Sequence, residues 1–394
     1  MLNSRILRLV TAQALSGASA TVVYATGAII GHALAPRPSL ATVPVSVFVV
    51  GMALATLPVG AVTRRYGRRA AFFLGNLCGV LLGLVGAAAL VVGSFSLFCL
   101  AMLFGGAYAA VVLTFRFAAA ECVEADERPR ALSAVLLGGV VAGIFGPQLV
   151  TATMDLWPSH DYAATYLAAA GAAVLAAVVL AGIRFPVPAP VPRPLDEVTV
   201  STSLWQPRFI VAILCGIVSY MMMNFMMTSA PLAMELQGIP RAHSNYGIEL
   251  HVIAMYAPSF FTGRLIARFG IQPIILLGLV LIGLAALTGM LGLDVHHFWI
   301  ALVLLGVGWN FGFLGASALV MTCHAPEEGP RVQAINDFCV FGSMVVGSFA
   351  SGSLLDTFGW TVISGLILLP VAVAIGGLLW LHLARPAIRG GIAP

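Results

Sequence analysis

Twelve apolar stretches of about 20 residues run in series along this 394-residue chain, at roughly 8–34, 39–63, 70–93, 95–120, 131–153, 163–184, 208–232, 246–268, 272–293, 298–322, 333–355 and 359–383. A hydrocarbon layer about 30 Å thick demands that length of an α-helix. It also leaves backbone polar groups no water to bind, so each span must satisfy its own N–H and C=O groups as a helix. With 60% hydrophobic and 9% charged residues, little polar surface remains for a water-soluble domain. The expected fold class is therefore an all-α membrane protein with twelve transmembrane helices. The first apolar run is too long for the core of a cleavable leader, and no small-residue cleavage site is evident.

Orientation follows from arginine, because lysine is absent and all 19 basic residues are arginines. With the N-terminus inside, Arg37 and Arg241 fall on the outer side, Arg116 falls within a span, and the rest lie on the inner side. That bias predicts both termini in the cytoplasm. The net charge of +4 then reflects topology and gives no sign of nucleic-acid binding. The six cysteines fall in spans or at inner ends, so no structural disulfide is expected.

A proline-rich polar segment, PVPAPVPRPLDEVTVSTSLWQP (186–207), reads as a cytoplasmic linker between an N-terminal six-helix bundle (1–185) and a C-terminal one (208–394). The two parts echo each other. GAVTRRYG (60–67) ends the second span and GRLIARFG (263–270) ends the eighth; ECVEADERPR (121–130) follows the fourth and TCHAPEEGPR (322–331) the tenth. A parallel repeat of six-helix units with a site between them is the plan of an alternating-access carrier. GAVTRRYGRR, with Gly60, Gly67, Arg68 and Arg69, resembles the loop between the second and third helices of the major facilitator superfamily. The resemblance implies that superfamily's fold but not its cargo. Where the family usually has an acidic residue this chain has Arg64, so the charge relay attributed to that acid is not carried over.

Ionisable and polar groups in hydrocarbon are costly and are functional candidates by default. They are Arg116 in the fourth span, Asn224 in the seventh, Glu249 and His251 in the eighth, Asn310 in the tenth and Asp337 at the inner end of the eleventh. Arg116 is a structural or coupling candidate that reaches Glu121 or Asp337; Glu249, near the outer rim, is expected to be solvated. No phosphate-binding loop, catalytic set or large cytoplasmic segment is present, which argues against ATP-driven pumping and against an enzyme. No cofactor is expected. Gly146-Pro147 in the fifth span lacks the second glycine pair of drug/proton antiporters and reads as helix packing.

SYMMMNFMMTSAPLAM (219–234) crowds five of the fourteen methionines into residues 221–227. Met223 and Met227 are four apart on the seventh helix, as are His251 and Met255 on the eighth, so each pair shares a face. At 1.5 Å per residue, Met227 and His251 lie roughly 7 Å below the outer boundary and Met223 and Met255 roughly 13 Å. Thioether and neutral imidazole suit a soft cation, Cu(I) best of all. The alternative is that the methionines fill gaps or line an adaptable pocket. Met222 and Met226 form a second same-face pair, with Cys215 nearly in line, and the sequence leaves open which pair faces inward.

Met-x-x-x-Met followed by His-x-x-x-Met, with MTSAPLAM and HVIAMYAPSFFTGRLIARFG around them, is similar to the CcoA-like copper importers of bacterial inner membranes. That resemblance implies copper uptake for haem-copper oxidase assembly, ligand roles for Met223, Met227, His251 and Met255, and a supporting thiol at Cys215. A downstream copper chaperone or P-type copper ATPase would be the partner. Gln237 stands where a cysteine is expected, so no thiol–disulfide step is carried over. The same broad group includes riboflavin-transporter-like relatives. A carrier of a riboflavin-like heterocycle is therefore the alternative, with Tyr220, Trp309 and Phe311 stacking on the solute; drug/proton efflux is a third reading.

Overall fold

The computed structural model describes residues 4–124, 128–183, 185, 205–324 and 329–383, and among them every regular element is helical. Most of the expected linker at 186–207 lies outside the described residues. The N-terminal half comprises α1 (Ser4–Leu34), α2 (Val43–Val92), α3 (Phe95–Val112), α4 (Phe115–Glu121), α5 (Arg128–Thr153) and α6 (Ala163–Ala181). The C-terminal half comprises α7 (Pro207–Leu236), α8 (Arg241–Tyr256), α9 (Ser259–Phe269), α10 (Ile271–Leu291), α11 (Val295–Met321), α12 (Gly329–Leu366) and α13 (Leu368–Leu383).

Nine helical stretches among the described residues are long and apolar enough to cross a membrane. The difference from twelve expected spans arises in three places. Ile335–Leu383 runs as one stretch across a break at Gly359, Leu137–Thr153 is shorter, and the eighth expected span is divided into α8 and α9 at Pro258. Proline removes a backbone donor, which ends the hydrogen-bond ladder there.

The repeat seen in the sequence reappears in the backbone. Gly67 (φ 81°, ψ 168°) breaks α2, and Gly270 (φ 89°, ψ 163°) separates α9 from α10 at the matching position. Only glycine adopts that region readily, so the two motifs end in the same turn because each carries glycine there. Arg68 then anchors the first turn by a bidentate bond from Nε and Nη2 to the carboxylate of Glu121 at the end of α4.

Within the N-terminal half, α1 packs on α5 and α6, and α2 on α3 and α6; within the C-terminal half, α7 packs on α11, α12 and α13, and α10 on α11. Small residues allow the closest approaches: a Cβ at Gly278 on α10 would lie 2.7 Å from Gly312 Cα on α11. The halves are joined chiefly by α1 with α7, α2 with α12 and α5 with α8, and more lightly by α1 with α8 and α5 with α9.

Candidate substrate cavity between the halves

A cavity of about 900 Å³, counted to its mouth, lies between the halves. Its walls differ in chemistry. From α1 come Gln13, Ser16, Ser19, Thr21 and Tyr24; Gln13, Gly17, Ala20 and Tyr24 fall within one helical stripe, flanked by Ser16 and Thr21. The facing wall, from α7 and α8, carries Tyr220, Met223, Met227, Val252, Met255 and Tyr256. Met52 and Phe48 of α2 and Tyr108 of α3 complete it. Among the described residues that line it there is no Asp, Glu, Lys, Arg or His.

The polar wall is partly occupied by its own bonds. Tyr24 donates from Oη to Asn224 Oδ1 at 2.9 Å, tying α1 to α7, and Ser16 Oγ sits 2.7 Å from Tyr108 Oη. Ser19 Oγ is buried with no partner among the described residues. Tyr220 is held edge-on by Trp309 (5.4 Å), Phe313 (4.9 Å) and Phe341 (5.6 Å). Trp309 thus backs the wall instead of lining it, and Phe311 faces Phe261 at 6.4 Å. The kink beneath Met255 is supported by Asn310, which donates from Nδ2 to Met255 O (2.6 Å) and Ser259 Oγ (2.7 Å) and accepts at Oδ1 from Thr262 Oγ1 (2.6 Å).

The candidate metal ligands separate. Met223, Met227 and Met255 reach the one cavity. His251, fully buried, places Nδ1 2.7 Å from the carbonyl of Leu302 on α11 and is not part of the lining. Gly306 is the reason, because a Cβ there would lie 2.6 Å from His251 O, so α8 presses backbone-close on α11 and takes the imidazole into that interface. Met226 packs its methyl toward Gly289 of α10, Cys215 directs its thiol toward Ala374 O of α13 at 4.0 Å, and Met222 is buried outside the lining. Among the described residues no cluster of three or more His, Cys, Asp or Glu forms a metal site.

Glu249 departs from the solvated position expected for it. It is only 8% exposed and accepts from Gln148 Nε2 of α5 at 2.7 Å, because α5 packs across that face of α8. The contact is one of a series at the end opposite Ser4: Asn245 donates to Thr151 Oγ1 (3.1 Å), Arg241 Nη1 meets Asp161 (2.8 Å), and Ser46 bonds Ser348 (2.9 Å) between α2 and α12. Partial burial works against the charge of Arg241, but Asp161, Tyr162 and Glu235 outweigh it and raise its pKa. The halves are therefore closed over the cavity at this end. Toward the other end, Arg116 of α4 interacts electrostatically with Tyr220, Tyr256 and Asp337 of α12, and Asp337 accepts from Asn336 Nδ2 at 3.1 Å.

The polar stripe on α1 was the signal the sequence carried and an inventory of charged groups misses: Gln13, Ser16 and Tyr24 recur on one face of an otherwise apolar span. Comparison with known proteins now adds to the geometry. The chain matches the family model of the Major Facilitator Superfamily over residues 9–339 and 213–392. It is 44% identical over 372 residues to the riboflavin transporter RfnT of Brucella anthropi, covering 94% of each chain. It is 28% identical to the uncharacterized MFS-type transporter YddS of Bacillus subtilis, covering 93% of this chain and 89% of that one. Its fold superposes on the partially occluded inward-open xylose transporter XylE from E. coli with a TM-score of 0.72 at 13% identity, covering 94% and 95% of the two chains.

Proposed function

The chain belongs to the major facilitator superfamily, and from that premise we propose that it is a carrier of a neutral, planar heterocycle of the riboflavin class in a bacterial inner membrane. The observation that carries this reading is the 44% identity, over 94% of both chains, to a riboflavin transporter. The cavity supports it. A flat conjugated ring finds thioether and aromatic faces on α7 and α8, and a hydroxylated chain finds hydroxyl and amide groups on α1. An ionised solute would enter a site whose lining offers no counter-charge.

In this reading the two six-helix bundles rock about the cavity, and the contacts between α5 and α8 and between α2 and α12 form the outer closure. Copper import, with Met223, Met227, His251 and Met255 as ligands, has no support from the relatives, and the burial of His251 against Leu302 takes one of the four donors out of the lining. The methionines then act as a soft, adaptable wall. Arg116 and Asp337 are coupling candidates at the inner mouth.

The test is uptake by proteoliposomes holding the purified protein, with riboflavin followed by fluorescence and copper by radiolabel. Saturable riboflavin uptake, unchanged by a copper chelator, is the expected result. Copper accumulation without flavin uptake would overturn it.

A further inference from the structure

Gln13 stands in the cavity wall with its carboxamide uncommitted. It makes no hydrogen bond to any described residue. The other amides near the centre are engaged: Asn224 by Tyr24, Asn310 by Met255 and its neighbours, Gln148 by Glu249 and Asn76 by Tyr108. Two glycines flank the side chain of Gln13, Gly17 on its own helix and Gly138 on α5. A Cβ at Gly17, one turn further along α1, would lie 2.8 Å from Ala142 Cβ of α5 and in ordinary contact, 3.5 Å, with Gln13 Nε2, so the glycine brings α1 close to α5 beside the amide. A Cβ at Gly138 of α5 would meet Gln13 Cβ at 2.9 Å, so the stem of the side chain is wedged while its amide end extends along the cavity.

A primary carboxamide presents an acceptor oxygen and a donor N–H₂ side by side. Its complement is a neighbouring N–H and C=O on one edge of a ligand, the pattern of a lactam or cyclic imide. Backbone amides of this chain are bonded within their helices, so that complement has to arrive with the solute. The lack of charged lining groups sets the same requirement, since it favours a neutral partner.

We propose that Gln13 is the specificity residue of the cavity, pairing with an N–H/C=O edge of the carried heterocycle. This rests on the flavin-class reading above, in which the imide edge of the ring system supplies that pattern. The ring plane then lies toward Met223, Met255 and Tyr256, and Ser19 is left to bond hydroxyls of the attached chain.

The experiment compares riboflavin with its analogue methylated at the imide nitrogen, which keeps the ring and chain and loses the donor. Initial rates of uptake by proteoliposomes are measured for both solutes with the wild-type protein, Gln13→Leu and Gln13→Asn. A site built to bond an N–H discriminates strongly against an analogue lacking it. The wild type is expected to favour riboflavin by about tenfold or more in kcat/KM. Gln13→Leu is expected to slow riboflavin by about tenfold and bring the ratio near one, while Gln13→Asn, with the same amide on a shorter stem, keeps part of the preference.

An equal ratio in wild type and Gln13→Leu would overturn the assignment and leave the flavin reading standing. Absence of riboflavin uptake by the wild type would remove both. If Gln13→Leu fails to fold, as judged by its melting profile in detergent, Gln13→Asn decides by itself: a ratio identical to that of the wild type counts against the pairing, and a reduced one supports it.

Discussion

The seam between α2 and α12 offers the sharpest test of the closure. Gly352 on α12 sits directly against Thr42 at the start of α2: an added Cβ would lie 3.0 Å from both Thr42 Cβ and Cγ2, with Oγ1 nearer still. Thr42 Cβ is carried by the backbone and no rotamer change moves it, so Gly352→Ala has to part the two helices by a few tenths of an ångström or more. Overpacking of this kind costs typically about 1–3 kcal/mol. If the strain falls on the closed arrangement alone, the balance between closed and open forms shifts by about 5- to 150-fold. Ser348, fully buried and bonded to Ser46 in the same seam, is the reporter.

With the native cysteines replaced and Ser348→Cys introduced, maleimide labelling of purified protein in detergent should accelerate within that range when Gly352→Ala is added. Thr42→Gly should restore slow labelling, because it removes every offending side-chain atom. The loss of Thr42 itself is mild, since it makes no side-chain cap bond and glycine is tolerated at that helix-capping position. Unchanged labelling in Gly352→Ala, or acceleration that Thr42→Gly fails to reverse, would refute the idea that this contact holds the seam.

Two further outcomes follow from the described contacts. Arg241 and Asp161 are 35% and 49% exposed, so their ion pair is screened and worth less than about 1 kcal/mol; Arg241→Met should speed labelling at the seam by no more than about fivefold, raising the salt concentration should imitate it in the wild type, and a shift above tenfold would mean the pair is stronger than its exposure allows. Asn310→Leu strands Met255 O beneath the α8–α9 kink, while Thr262 Oγ1 keeps its bond to Pro258 O, at a cost of about 1–3 kcal/mol; the melting temperature in detergent should fall by several degrees and riboflavin KM should rise, whereas an unchanged melting profile would show the kink to be held by other contacts.

Much of the architecture was readable before any coordinates, for a reason peculiar to membranes. A hydrocarbon layer dictates both helix and length, so apolar run-length alone exposes the class, and the paired glycine-ended motifs expose the repeat. Breaks inside spans were less legible, since an apolar run looks the same whether it is one helix or two. Pro258 is visible as a residue, yet what makes its kink tolerable is Asn310, more than fifty residues away.

The site was legible only in part. Helical spacing left Met223/Met227 and Met222/Met226 as rival inward pairs, and the structure brings Met223, Met227 and Met255 to a common space; spacing also put His251 on the face of Met255. A pair four residues apart is still offset by about 40° around the axis, and the close approach allowed by Gly306 was enough to take His251 into the α11 interface instead. Glu249 was misread for the same kind of reason: depth along its own helix says nothing about α5 lying across it.

Length, apolarity, arginine bias and repeated glycine motifs are properties of the chain's own order, and they determined a multi-pass helical membrane protein of this superfamily. Which side chains face one another is a property of helix rotation and inter-helix distance, set by small residues such as Gly306, Gly278 and Gly352 that act on neighbours remote in sequence. Only the folded arrangement therefore decided that the described lining of the cavity is uncharged and two-sided, that His251 bonds Leu302 O outside that lining, and that Gln13 stands in the wall with no partner among the described residues.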